Sequence, residues 1–175
     1  MGIGEWTSDI AFSSAMNSWI DKIYKEILPI EHITRLFKQD QPHILDQKFA
    51  IDVILTLTNG LILTGQEKVR RQKYINFQDF TLEYKSNKYG APGEYTKLCT
   101  DFYFYGYGSP DNGFSCVYIF SPLKVKLAIT NKELRGSLQN NIDHSSASFY
   151  AYPFSEFKDD WFIYKKTDLV STTKH

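Results

Sequence analysis

The chain has 175 residues, 42% hydrophobic and 23% charged, the size and composition of one ordinary soluble domain with enough apolar content for a sizeable core. Its 20 basic and 20 acidic side chains cancel, so no overall field draws it to nucleic acid or to an anionic membrane, and either partner would have to be met by a local patch. Two cysteines, Cys99 and Cys116, are too few for a disulfide framework and fit no zinc-ligand pairing, which predicts free thiols in a reducing compartment.

The opening residues include Glu5, Trp6 and Asp9 where a secretory leader would show a basic region and an apolar run. No stretch reaches the length of a membrane span, so the expectation is a cytoplasmic protein with no membrane contact. Residues 9 to 28 set Phe12, Ala15, Met16, Trp19, Ile20, Ile23, Tyr24 and Ile27 at helical spacing, which predicts an amphipathic helix stopped by Pro29. Residues 31 to 41 predict one or two more helical turns before Pro42. From Lys48 the pattern becomes strand, turn, strand, and residues 80 to 86 add a third strand in which Phe80, Leu82 and Tyr84 alternate with Thr81, Glu83 and Lys85. These three strands are predicted to form an antiparallel meander.

Residues 87 to 95 are a Gly/Pro loop, and 95 to 99 a short helical link. Aromatic content is 16%, and most of the Tyr and Phe follow residue 74, which favours a β-rich C-terminal part. Strands are predicted over 100 to 108, 114 to 121 and 123 to 129, the first two joined by the turn at 108 to 113. Residues 132 to 146 are polar loop with some helix, 146 to 154 an edge strand, and 171 to 175 a frayed tail behind a single domain spanning 1 to 170.

The stretch around Asn59-Gly60 has two possible registers. A two-residue turn pairs Thr58 with Leu61 and mixes Leu and Thr on both faces. A three-residue loop Thr58-Asn59-Gly60, with Gly at the left-handed position, gathers Ile51, Val53, Leu55, Leu57, Leu61 and Leu63 on one face. The other face then carries Asp52, Ile54, Thr56, Ile62, Thr64, Gln66 and Lys68. A one-residue slip would reverse every side chain, so burial of the leucine face selects the second register. Asp52 then lies opposite Gln66 with Lys68 on the same face, and Glu67 points away.

An aspartate beside an oxygen-bearing side chain and a lysine two residues apart suits metal-assisted phosphodiester hydrolysis. Mg²⁺ is a hard cation that takes oxygen ligands, polarises a phosphate and lowers the pKa of a bound water. A lysine ammonium then orients that water or offsets charge developing at phosphorus. The plain alternative is a solvated sheet face, although Ile54 and Ile62 suggest partial cover.

Asp52 and the run Gln66-Glu67-Lys68, behind the helix at 9 to 28 and ahead of the strand at 80 to 86, resemble the PD-(D/E)XK nuclease superfamily over more than half of the chain. The resemblance implies an α+β, restriction-endonuclease-like fold: a helix, a three-stranded meander, a helix and a further strand. It also implies a nuclease that cuts DNA with Mg²⁺ or Mn²⁺, with Asp52 and position 66 on the metal and Lys68 at the nucleophilic water; whether a homodimer is needed to cut both strands stays open. Position 66 is Gln where the common pattern has Asp or Glu. Gln offers a carbonyl oxygen but no charge, so a compensating carboxylate is sought at Glu26, Asp46, Glu83, or Glu67 should the register differ.

Arg70, Arg71, Lys73 and Lys85, with Lys68, make a basic strip suited to phosphate contacts, or a solvated strand end. Phe102, Tyr103, Phe104, Tyr105 and Tyr107 would either stack unpaired bases or form core on one face and surface on the other. His32, His43 and His144 show no metal spacing, no phosphate-cradling Gly-rich loop is present, and the serines of 143 to 149 lack a nucleophile elbow. Two other readings stay open: a non-catalytic module that binds nucleic acid or protein, and a small structural protein of the kind found in virus particles.

Overall fold

The computed structural model describes residues 3–36, 44–85, 93–140 and 148–167. Helix α1 (Ile3–Ile27) ends just before Pro29, which cannot continue it. Phe12, Met16, Ile20, Ile23 and Tyr24 form its buried stripe. The following segment is not the helical turn expected from its sequence but strand β1 (Ile30–Arg35), antiparallel to β2 (Val53–Leu57). A bulge between Ile30 and His32 explains the helix-like spacing. It lets Ile30 and Ile33 face the same side, opposite Leu57 and Leu55, although they are an odd number of residues apart.

A short helix α2 (Ile44–Phe49) occupies the point where a strand was predicted from Lys48, and the strand itself starts only at Val53. Between β2 and β3 (Ile62–Arg71) the register is the bulged one: Val53 faces Gly65 and Leu55 faces Leu63. The Gly60 N–H donates to the Leu57 carbonyl at 2.8 Å, and Gly60 has φ +81°. A Cβ there would meet nothing within 4 Å. Gly60→Ala is therefore expected to cost only the left-handed backbone penalty, about 1–2 kcal/mol, and Gly60→Asn less, as read from urea-unfolding midpoints.

Beyond β3 a 3₁₀ segment (Gln72–Phe77) and a left-handed Gln78 (φ 43°) turn the chain away. Strand β4 (Asp79–Lys85) therefore does not complete a meander with β3 but founds a second sheet. The meander is β1-β2-β3 instead. After α3 (Glu94–Lys97), the strand β5 (Phe102–Ser109) returns parallel to β3, and β6 (Gly113–Phe120) pairs antiparallel with it. The strand expected over 123 to 129 is helix α4 (Pro122–Thr130). Ser121 caps it by accepting from the Lys124 N–H, Pro122 opens it, and Val125 and Ala128 are its buried contacts at a spacing of three.

Strand β7 (Ser137–Asn140) occupies part of the expected polar loop. The expected edge strand is β8 (Ser148–Pro153), which lies in the middle of the second sheet. The last strand, β9 (Phe162–Thr167), pairs with β6. Residues 171 to 175, predicted to fray, lie outside the described residues.

The architecture is α+β. A mixed sheet of order β1-β2-β3-β5-β6-β9 carries α1 on one face, and on the other the antiparallel sheet β4-β8-β7. Tyr24 packs edge-on against Phe102 and Phe104 on the α1 side. On the opposite side Phe80 of β4 meets Tyr103, Tyr105 and Phe120 edge-on, and Tyr118 stacks on Phe154 at 3.8 Å. Such aromatic pairs contribute about 0.5–1.5 kcal/mol each beyond the area they bury. The aromatic run of β5 is thus core on both faces, and none of it is available to stack bases. Cys99 and Cys116 are free thiols, the second buried. Among the described residues no helix is long and apolar enough to cross a membrane.

Candidate active site

Strand alternation sets Gln66, Lys68 and Arg70 on one face of β3, beside their β5 partners Tyr103, Tyr105 and Tyr107. Glu67, beside Phe104, lies on the α1 face. Along β3 the first face passes from open to covered. Ile62 is 60% exposed, whereas the Lys68 ammonium donates to the Thr81 carbonyl of β4 at 2.9 Å. Gln66 stands between them, and its side-chain oxygen is shielded from solvent with no hydrogen-bond partner among the described residues. An orphaned buried acceptor costs about 1–3 kcal/mol unless something else satisfies it.

Asp52 is fixed beside Gln66 by the backbone on either side of that residue. Its N–H donates to the Gly65 carbonyl at 2.9 Å, and its Oδ2 accepts the Glu67 N–H at 3.0 Å. Burial pushes the Asp52 carboxyl well above the ordinary carboxylate range. The Glu67 N–H opposes this, and the charges of Asp46, Glu67 and Glu94 add to it.

Glu94, the first residue of α3, also belongs to this face. Its Oε1 accepts from the Tyr103 hydroxyl, and its Oε2 lies 3.7 Å from the Lys68 ammonium. Burial, with Glu94 alongside, keeps that tyrosine protonated and so a donor. The helix can sit this close because its neighbour is Gly93, where a Cβ would fall 2.5 Å from the Glu83 carbonyl oxygen of β4. Glu83 is two residues along β4 from Thr81. Burial raises its carboxyl, with Lys68 pulling the other way.

No protein-family model, curated protein or solved structure matches this chain. The chemistry of the site therefore rests on its own groups. Among the described residues no three or more His, Cys, Asp or Glu stand together as a metal site. The face combines acids with an amide oxygen and a lysine: Asp52 and Glu94 around Gln66 and Lys68. These groups suit a hard divalent cation, which takes oxygen ligands and keeps some of its waters.

The other residues predicted for the site are placed elsewhere. Glu67 accepts from Tyr24 at 3.0 Å and from Arg35 at 3.2 Å, on the α1 side of the sheet. Glu26 is exposed on α1, across the sheet from Gln66. Asp46, in α2, acts on Asp52 through its charge. The basic strip is divided. Arg70 turns inward to the hydroxyls of Thr81 and Tyr105, with Asp79 3.8 Å away, whereas Arg71 lies over the Phe12 ring of α1 at 4.5 Å. Lys73 sits by the Tyr74 ring in the 3₁₀ segment, and Lys85 by Tyr84 at the end of β4. Exposed His32 lies on β1, and His43 and His144 fall outside the described residues.

Sequence reasoning missed Glu94. No spacing links it to Gln66, because it arrives from a helix in the connection between β3 and β5. The preceding Gly93 is the sole local sign of a close approach.

Proposed function

We propose that this protein is a divalent-metal-dependent nuclease that hydrolyses phosphodiester bonds in DNA, built on a restriction-endonuclease-like core of the PD-(D/E)XK type. The observation that carries the reading is the buried Gln66 oxygen, without a partner among the described residues, on the same face as the Asp52 carboxylate and the Lys68 ammonium. The order of parts supports it: α1, the meander β1-β2-β3, α3 and then β5 beside β3, with β4 added on one face.

Asp52 and Gln66 would hold Mg²⁺ or Mn²⁺, which, when bound, supplies the charge that polarises a phosphate and acidifies a water. The protein's own groups do the rest. The Glu67 N–H fixes the orientation of the Asp52 carboxylate, so the ligand need not reorganise. Lys68 is anchored by the Thr81 carbonyl and Glu94, which fixes its ammonium on this face toward the covered end of β3, where it orients the attacking water or offsets charge at phosphorus. Lys73 and Lys85 are exposed cations for phosphate contacts, whereas Arg70 braces the two sheets.

The test is incubation of the purified protein with linear, circular, single-stranded and branched DNA, and with RNA, in Mg²⁺ or Mn²⁺, beside Asp52→Ala and Lys68→Ala. Wild type is expected to cleave at least one DNA form in a metal-dependent way, and both variants to lose that cleavage. Equal background from all three proteins, or none, would sink the proposal.

A further inference from the structure

Gln66 leaves the site one negative charge short. Asp52 alone sets a single carboxylate against a doubly charged ion, and an amide oxygen adds a ligand but no charge. Glu94 is the acid whose contacts surround Gln66. Its Oε1 is held by Tyr103, the residue directly across from Gln66 on β5, and its Oε2 faces Lys68, two residues along β3 on the same face. From the other side Asp52 is tied to the backbone of Gly65 and Glu67. Asp52 thus adjoins Gln66 from the β2 side, Glu94 contacts its β5 partner and its same-face neighbour on β3, and the charge of Glu94 bears on Asp52, while the shielded Gln66 oxygen has no partner among the described residues.

We propose that Glu94 supplies the carboxylate that position 66 lacks and completes a divalent-cation site with the Asp52 carboxylate and the Gln66 side-chain oxygen. The inference rests on reading this face as a metal-dependent site. Two carboxylates and one neutral oxygen match a hard cation that retains several waters. The placement of Glu94 is built into the fold: Gly93 allows α3 to close against β4, and the Tyr103 hydroxyl fixes the carboxylate. Glu83 and Asp46 are acids of the same neighbourhood. Glu83 bears on Lys68 and Glu94, and Asp46 on Asp52, through charge.

The experiment is Mn²⁺ binding to the full chain, followed by calorimetry and by the paramagnetic signal of the free ion, with no nucleic acid present. Glu94→Gln keeps an acceptor for Tyr103, so the fold is preserved. It is expected to weaken Mn²⁺ binding by about tenfold or more. Adding Gln66→Glu to that variant returns a carboxylate to the site and is expected to restore the affinity, while Glu83→Gln leaves it unchanged.

Wild-type affinity in Glu94→Gln, together with a loss in Asp52→Asn, would overturn the role of Glu94 and leave the metal reading standing. So would failure of Gln66→Glu to rescue, or a loss seen in Glu83→Gln instead. Absence of Mn²⁺ binding by the wild type, or binding unaffected by Asp52→Asn, would overturn both.

Discussion

Asp52→Asn is expected to raise the stability of the metal-free protein at neutral pH by about 1 kcal/mol, the usual size of gain when a functional residue under strain is relieved. Asp52 ionises in a buried place with Asp46, Glu67 and Glu94 nearby, so its folded pKa lies well above the ordinary 3.8. For an acid shifted upward, the native state binds the proton more tightly than the unfolded chain. Stability is then fully present below 3.8 and is lost as pH rises through the elevated folded value. Asparagine mimics the protonated form and keeps an oxygen for the Glu67 N–H, so the gain should vanish in acid. Mg²⁺ at a hundredfold over its Kd should add about 2.7 kcal/mol to the wild type and nothing to the variant. Thermal unfolding at both pH values, with and without Mg²⁺, reads all four arms. A variant less stable than wild type at neutral pH, with an undiminished Mg²⁺ response, would contradict this.

Arg35→Ala is expected to destabilise the protein by about 3–5 kcal/mol. Arg35 of β1 bridges Asp21 of α1 at 2.6 Å and Glu67 of β3 at 3.2 Å, while Tyr24 donates to the same Glu67. Burial already raises the Glu67 carboxyl, and Arg35 is the largest influence holding it down. Removing the arginine leaves a shielded acid whose remaining side-chain partner among the described residues is the Tyr24 hydroxyl. The variant should therefore recover part of its loss on acidification, when Glu67 takes up a proton. Replacing the pair together, as Arg35→Met with Glu67→Leu, should cost far less than Arg35→Ala. Urea unfolding of the three proteins measures this, and a loss below about 1 kcal/mol for Arg35→Ala, the range of an exposed pair, would contradict it.

The β2-β3 hairpin was legible because burial of Val53, Leu55 and Leu57 admits only one register, and with it came the Asp52, Gln66 and Lys68 face. What escaped was set by groups distant in the chain. The bulge in β1 gave a strand the spacing of a helix. The apolar alternation of 123 to 129 suggested a strand, but Ser121 and Pro122 at its start make it a helix. The alternation at 80 to 86 was read correctly as a strand, yet its partner is β8, which follows more than sixty residues later. Beyond its first residues β9 is an exposed edge, polar at Lys165, Lys166 and Thr167, and gave no pattern to detect. Glu94 meets Tyr103 and Lys68 only through the packing of α3, which no local period encodes.

The measurement that bears most directly on the proposed chemistry is the single-turnover rate of DNA cleavage by wild type and by Lys68→Ala, at Mn²⁺ concentrations that saturate both. Lys68 is placed to act on the reaction rather than on the metal, so the variant should bind Mn²⁺ and lose about 10²–10³-fold in rate, roughly 2.7–4 kcal/mol of barrier. Equal rates for the two proteins, or no cleavage by either, would contradict the assignment of this face as a hydrolytic site.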